Sequence, residues 1–335
     1  MRTILPKKLE RRGRVRIIFP SSALNTKEDS QFKKYSDRFY KRFPRRVKTL
    51  RKSYRDPVVS HLAAPLSERK KLFLKAIGRG NFIIPAIGGT GMVDIIDVLS
   101  EREINFIAKK RPIFCGFSDF TSFSNYLYFK TGLLSFCFVN AWNFFRTNMY
   151  NSFIDIISGK KDKLEYKSKL FHWLENRPEK TITGTVIGGT FTTIVHLLDR
   201  PETLVKKWDN LIIVLEDTGA DMEDLHLAIN SFKRRKIFQK IKCLVIGELS
   251  YSPVPGHLKD FPKKFAQKEK YINKAFVHLI KDELDKRDKQ GRPLPILKIN
   301  NFGHEVLKNN LIIPIGAKTT ISPNKKITFH GPFVK

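Results

Sequence analysis

Six apolar runs punctuate the chain at long intervals, and what lies between them decides the fold. They are Val15–Phe19, Phe82–Ile87, Pro112–Phe117, Leu211–Glu216, Cys243–Glu248 and Leu294–Ile299. Several are apolar without period-two alternation, the mark of a strand covered on both faces. Amphipathic stretches of helical length separate them, for example Lys27–Phe43, Ser67–Ile77 and Met222–Arg235. Strand–helix alternation predicts an α/β protein with a largely parallel sheet. No internal repeat is present. The polar, lysine-rich stretch Asn151–Thr181 reads as a connector between two halves. Residues 253–293 are also polar and charged, and read as a loop plus a projecting helix.

A chain of 335 residues holds two medium domains or one large one, and a hydrophobic fraction of 41% excludes a disordered chain. No run approaches the roughly 18 consecutive apolar residues of a membrane-spanning helix. Charges are scattered through the first twenty residues, which argues against a signal peptide. The three cysteines, Cys115, Cys137 and Cys243, each sit in an apolar run with no neighbour at metal-ligand spacing. They read as buried free thiols of a reducing, cytoplasmic compartment, with no metal site.

The net charge is +31, and residues 1–75 alone carry 23 Lys/Arg against 6 Asp/Glu. A basic arm invites a nucleic-acid reading. No helix-turn-helix, zinc-finger or RNP signature accompanies it, so no specific nucleic-acid partner is expected. A generally lysine-rich surface and attraction to an anionic substrate are the other readings.

In open α/β sheets, function gathers just beyond the carboxyl ends of the strands. The run ending at Ile87 is followed by Gly88-Gly89-Thr90-Gly91, and the run ending at Phe117 by Ser118-Asp119. Glu216 closes the fourth run, and the sixth leads into Asn300-Asn301-Phe302-Gly303-His304. Ser, Glu and His thus all fall at strand ends, where side chains converge. Each has a plainer reading. Ser118 or Asp119 could cap a helix, the glycines could form an ordinary tight turn, and His304 could be a polar loop residue. Glu216 is a helix cap or a buried carboxylate in need of a partner. Together the three match acid–His–nucleophile logic, with Glu in place of Asp.

In order along the chain, these and other segments resemble the LD-carboxypeptidase family, which includes microcin-immunity peptidases. The matching segments are Gly13 through Pro20-Ser21-Ser22, Ser67-Glu68-Arg69, Gly88-Gly89-Thr90-Gly91 and Gly116-Phe117-Ser118-Asp119. Gly184 to Gly188-Gly189-Thr190, Leu215-Glu216-Asp217, and Gly247 with Phe302-Gly303-His304 complete the set, over roughly residues 13–320. The resemblance implies an N-terminal flavodoxin-like parallel-sheet domain over residues 1–150 and a connector over 151–181. A C-terminal, mostly β domain with helices would follow over 182–335, with the active site in the cleft between the domains. Ser118 would be the nucleophile, His304 the base and Glu216 the residue orienting it. Backbone N–H groups of Gly89 and Asp119 would form the oxyanion hole, and Gly88, Thr90 and Thr190 would line the substrate. No metal or cofactor is implied. Partners would be an anionic muropeptide or a microcin-like peptidyl nucleotide, and a homodimer is common in the family.

The chain departs from the family pattern at several points. Ile87 stands where Arg is frequent, and Thr190 replaces the usual Asn. Ser135–Val139 occupies the place of an H-G-P segment, and no Arg follows Glu216 at the family position, where Leu225 or His226 falls. These positions shape the pocket, so the expectation is retained chemistry with an open choice of substrate. An inactive binding or immunity protein on the same fold is the alternative.

Overall fold

The computed structural model describes residues 3–335 apart from 45, 52–54, 204–207, 253–264, 285–292 and 307. The chain divides into two compact units. Unit 1 comprises Met1–Lys163, Leu307–Ala317 and Gly331–Lys335, and unit 2 comprises Leu164–Val306 and Lys318–His330.

Unit 1 alternates strands and helices from the start. Its elements are β1 (Val15–Ile18), α1 (Thr26–Arg42), β2 (Val47–Leu50), α2 (Leu66–Arg79) and β3 (Phe82–Pro85), then α3 (Met92–Asp97), α4 (Glu101–Lys110) and β4 (Ile113–Gly116). After them come α5 (Phe120–Thr131), β5 (Ser135–Cys137), α6 (Ala141–Phe144) and α7 (Tyr150–Ile157). Unit 2 contains β6 (Lys163–Tyr166), β7 (His172–Glu175), β8 (Ile182–Thr190), α8 (Phe191–Val195) and β9 (Leu211–Asp221). It continues through α9 (Met222–Arg234), β10 (Cys243–Ser252), α10 (Phe265–Leu284) and β11 (Ile296–Lys298). The chain then makes β12 (Ile313–Ile315), β13 (Lys318–Ile321) and β14 (Ile327–His330).

The sheet of unit 1 has the order β12-β5-β4-β3-β1-β2. Strands β1 to β5 pair in parallel, and β12 closes the edge antiparallel to β5. The order 2-1-3-4-5 is the flavodoxin-like doubly wound arrangement, in which ligands bind at the switch point between β1 and β3. Every residue of β1, β3 and β4 is buried, as unalternating apolar runs require. Helix α5 is buried from Phe120 through Phe129, so it is a central helix rather than a surface one. Phe123 meets Phe114 of β4 and Phe73 of α2, each with ring centroids 5.0 Å apart in edge-to-face geometry. Such pairs add about 0.5–1.5 kcal/mol beyond area burial. They fix α5 against the strand whose end supplies Ser118.

The eight-stranded sheet of unit 2 has the order β6-β14-β13-β8-β9-β10-β11-β7. Its central strands β8 to β11 are parallel, while β13 and β7 pair antiparallel with β8 and β11. The fold is thus mixed α/β, with a parallel-sheet N-terminal part and a strand-rich C-terminal part.

Two boundaries differ from the sequence expectation. Residues 151–181 are not a plain connector: most of α7 lies there within unit 1, and β6 and β7 are the two edge strands of the unit 2 sheet. Edge strands tolerate polar residues, which is why the segment reads as unstructured. The C-terminal stretch is shared, since β12 and Gly331–Lys335 return to unit 1. The helix expected there is α10, but it does not project: Ile272, Phe276 and Ile280 are buried and the Phe276 ring lies 6.2 Å from that of Phe191, while residues 253–264 and 285–292 lie outside the described residues. Among the described residues no helix is long and apolar enough to cross a membrane.

Candidate active site

In unit 1, the loops after three neighbouring strands of the sheet meet around Ser118. The loop after β1 carries Ser21 and Ser22, the loop after β3 carries the glycine-rich turn, and the loop after β4 carries Ser118. Ser22 N–H donates to the Gly88 carbonyl at 3.4 Å, and its Oγ accepts from Thr90 N–H at 3.2 Å. Gly89 has φ +102°, and a Cβ there would lie 1.9 Å from Ser22 Oγ. A Cβ on Gly88 would lie 2.6 Å from Ser118 Cβ and 2.7 Å from its Oγ. The turn is therefore glycine for two reasons: a left-handed backbone, and direct contact with Ser118. Buried Arg69 ties these loops together by donating to the carbonyls of Pro20 (2.8 Å), Gly91 (2.6 Å) and Ala64 (3.0 Å) and to Asp94 (2.8 Å).

Ser118 itself has φ +61°, rare for a residue with a side chain. Such strain costs about 1–3 kcal/mol and persists where the surroundings hold it. Here the holders are visible. Asn140, after β5, accepts the Phe117 N–H on its Oδ1 at 2.9 Å, and the Ser118 carbonyl accepts from Thr121 N–H at 2.8 Å. The capping reading fails for both candidates. Helix α5 has no side-chain cap, and the Asp119 carboxylate instead accepts from Met92 N–H at 2.8 Å. Burial pushes the Asp119 carboxyl up from the ordinary range, against the pull of that N–H. Among the described residues, the N–H groups of Gly89 and Asp119 have no protein acceptor. Asn140 was not anticipated from sequence, because nothing local marks an Asn as the partner of a backbone N–H 23 positions earlier.

In unit 2, parallel pairing of β8 with β9 sets Thr190 opposite Glu216. Glu216 has no solvent exposure. Its Oε1 accepts from Thr190 Oγ1 at 2.6 Å and its Oε2 faces His304 Nδ1 at 2.7 Å. A carboxylate only accepts, so Nδ1 carries the proton and Nε2 is left as the basic nitrogen of the neutral ring. Gly247 of β10 makes room for this pair: a Cβ there would lie 2.4 Å from the Phe302 carbonyl and 3.2 Å from Glu216 Cβ. The same Phe302 carbonyl accepts from Glu248 N–H at 2.7 Å, pinning the loop that carries His304.

Burial of the His304 ring opposes its protonation, but Glu216 outweighs this and raises its pKa above the ordinary value. The neighbouring Asp217 is pushed up to about 6, chiefly by burial, while its bond from Thr192 N–H at 2.7 Å pulls the other way. Among the described residues, no group of His, Cys, Asp and Glu is arranged to hold a metal ion. The three cysteines are buried and none forms a disulfide.

Every residue singled out in the sequence therefore has a defined place. Ser118, Gly88, Gly89, Thr90 and Asp119 come together in unit 1, and Glu216, His304 and Thr190 in unit 2. Thr190 differs from expectation in its surroundings. It is 5% exposed, and its hydroxyl is engaged by Glu216.

Family models match both parts of the chain. The LD-carboxypeptidase N-terminal domain matches residues 15–137 and the LD-carboxypeptidase C-terminal domain residues 183–321. The microcin C7 self-immunity protein MccF of Escherichia coli is 22% identical over 281 residues, which cover 75% of this chain and 74% of that protein. A structure of MccF with glutamyl sulfamoyl guanosine superposes with a TM-score of 0.76 at 17% identity, covering 99% of both chains. The muramoyltetrapeptide carboxypeptidase of Oxalobacter formigenes gives 0.68 at 19% identity, covering 95% of this chain and 98% of that one. With both domain models matched in order over most of its length, this chain belongs to the LD-carboxypeptidase family.

Proposed function

We propose that the protein is a serine-type carboxypeptidase in which Ser118 is the nucleophile, His304 the general base and Glu216 the residue that orients the base. The observation that carries this reading is the bond between His304 Nδ1 and the wholly buried Glu216. A carboxylate taken out of water needs compensating partners. An imidazole oriented through Nδ1 is the partner that gains a catalytic use.

In this reading Ser118 Oγ attacks the scissile carbonyl and its proton passes to His304 Nε2. Negative charge developing on the carbonyl oxygen is met by the N–H groups of Gly89 and Asp119, and one such donor contributes about 3 kcal/mol of transition-state stabilisation. Collapse of the tetrahedral species transfers the His304 proton to the leaving amine and leaves an acyl-enzyme. Water, activated by the same base, releases the acid and restores Ser118. Glu216 stabilises the imidazolium formed in each half, and Thr190 holds Glu216.

The substrate class follows from the relatives. One solved relative is a muramoyltetrapeptide carboxypeptidase, and MccF structures contain glutamyl sulfamoyl guanosine or aspartyl sulfamoyl adenosine. An amide in a muropeptide, or in an aminoacyl or peptidyl nucleotide, is the proposed scissile bond. Either substrate is anionic, which suits a chain of net charge +31. Buried cysteines that form no disulfide support cytoplasmic residence. Hydrolysis of an L,D-tetrapeptide and of an aminoacyl sulfamoyl nucleoside, by wild type and Ser118→Ala, tests the proposal. Turnover of at least one by wild type and of neither by the variant supports it. A Ser118→Ala protein as fast as wild type ends it.

A further inference from the structure

The charge of this chain is unevenly placed. Unit 1 carries 35 Lys/Arg against 13 Asp/Glu, while unit 2 carries 28 against 19. Within unit 1 one strongly basic segment precedes β1. Residues 3–14 hold Lys7, Lys8, Arg11, Arg12 and Arg14 against the single acid Glu10.

This segment runs beneath the amino ends of the parallel strands. Ile4 N–H donates to the Gly132 carbonyl at 2.8 Å, just ahead of β5, and Lys7 N–H to Arg111 at 2.9 Å, just ahead of β4. Asn81 N–H, just ahead of β3, donates to the Arg14 carbonyl at 2.8 Å. The Arg46 guanidinium, one residue ahead of β2, donates to the Arg11 carbonyl. Backbone bonds thus hold the arm while its five cationic side chains remain exposed. Helices α2 and α4 end at the same edge, bringing exposed Arg79, Lys109 and Lys110.

Cations at helix carboxyl ends have an ordinary reason, the helix dipole. The arm's cations do not, because they lie on no helix. Among the described residues none of the five forms an ion pair. Their crowding is felt beneath them: Arg16, 8% exposed, is held below its ordinary pKa first by burial and then by the charges of Arg14 and Arg79. Such self-repulsion is relieved by a polyanion.

We propose that the amino-end face of the unit 1 sheet, centred on residues 7–14, docks the phosphate backbone of nucleic acid without regard to sequence. Guanidinium groups, three of the five on the arm, match phosphate geometry. A membrane surface is the poorer fit, because surface-seated segments add Trp, Phe or Leu and no large apolar residue of the arm is exposed. Arg111 precedes β4 and Ser118 follows it, so the face lies at the opposite edge of the sheet from the nucleophile and binding leaves the Ser118 loops uncovered.

The test is fluorescence anisotropy of a labelled single-stranded RNA of about 30 nucleotides, titrated with full-length protein between about 50 and 200 mM KCl. Wild type should bind at micromolar or tighter Kd at the lower salt and weaken on the order of a hundredfold at the higher. Lys7→Glu/Arg11→Glu/Arg12→Glu/Lys110→Glu should lose at least about tenfold and show a flatter salt slope. A control with the same charge change in unit 2, Lys167→Glu/Lys169→Glu/Arg177→Glu/Lys180→Glu, should shift by less than about threefold. All eight side chains are exposed, and matching thermal melts confirm that both variants fold; the Gln versions of the first set give a milder second series. Equal losses in both variants would reduce the effect to bulk charge. That outcome, no binding at the lower salt, or tighter binding to phosphatidylserine vesicles than to RNA would each overturn the proposal.

Discussion

Glu216 Oε2 lies 2.7 Å from His304 Nδ1, and the other carboxylate oxygen is held by Thr190 at 2.6 Å. Both oxygens of a carboxylate without solvent access are thereby directed, one at a hydroxyl and one at an imidazole. This fixes the rotamer of Glu216, and through it the tautomer and plane of the ring. Parallel pairing of β8 and β9 supplies the first contact, and close approach of the 302–304 loop to Gly247 supplies the second.

His304 must be neutral to act as base, and Glu216 raises its pKa above the ordinary ~6.5. kcat/KM should therefore rise with pH through a midpoint above ~6.5. The sign for stability is opposite. A group whose folded pKa is raised contributes stability that is fully present below its unfolded pKa and lost as pH rises through the folded one. Asp217, at about 6, titrates at the lower edge of this window, so Asp217→Asn should leave only the His304 inflection. Paired pH–rate and pH–denaturation series check both trends, and a flat kcat/KM between about pH 5 and 8 would contradict His304 as base.

Ser118→Gly should separate function from stability. The left-handed backbone at φ +61° costs a serine about 1 kcal/mol that glycine does not bear. The variant should be inactive yet more stable by about that amount, read by urea unfolding. A destabilised Ser118→Gly would show that the serine side chain is held for packing rather than for chemistry.

Thr190→Val keeps the shape but removes the donor to Glu216. An unmet buried acceptor costs about 1–3 kcal/mol of stability, and a loosened Glu216 should lower kcat by roughly tenfold. Thr190→Ser should restore both. Equal kcat in Val and Ser variants would make Thr190 a packing residue only.

How far the sequence carries depends on whether a feature is local. The apolar runs of β1, β3, β4 and β11, and those that open β9 and β10, are buried on both faces and so announce themselves, and each run ends where a loop can present chemistry. Ser118, Glu216 and His304 are legible for that reason. Strands β6 and β7 were hidden because they are edges, with residues such as Lys163, Glu165 and His172 facing solvent. Strand β12 was hidden because its partner β5 lies far away in sequence. Neither the Asn140 grip on Phe117 nor the Thr190–Glu216 bond has a local signature, since both follow from register between strands.

Gly88→Ala probes the nucleophile loop from outside. Its Cβ would enter the space of Ser118 Cβ and Oγ, so the serine must shift. Displacement of about 1 Å is enough to lower kcat on the order of a hundredfold. The rest of unit 1 should be unperturbed by hydrogen exchange. Activity within about twofold of wild type would mean that Ser118 needs no such precise seat.

The central claim, that Ser118 is a nucleophile activated by His304 and Glu216, is tested most directly by fluorophosphonate labelling followed by peptide mass spectrometry. Wild type should carry the label on Ser118 alone, at a rate that rises with pH. Glu216→Gln, which preserves size and shape, should fold normally but label on the order of 10²–10⁴ times more slowly, and His304→Ala should label no faster. Label on another residue, or normal labelling of Ser118 in both variants, would contradict the account.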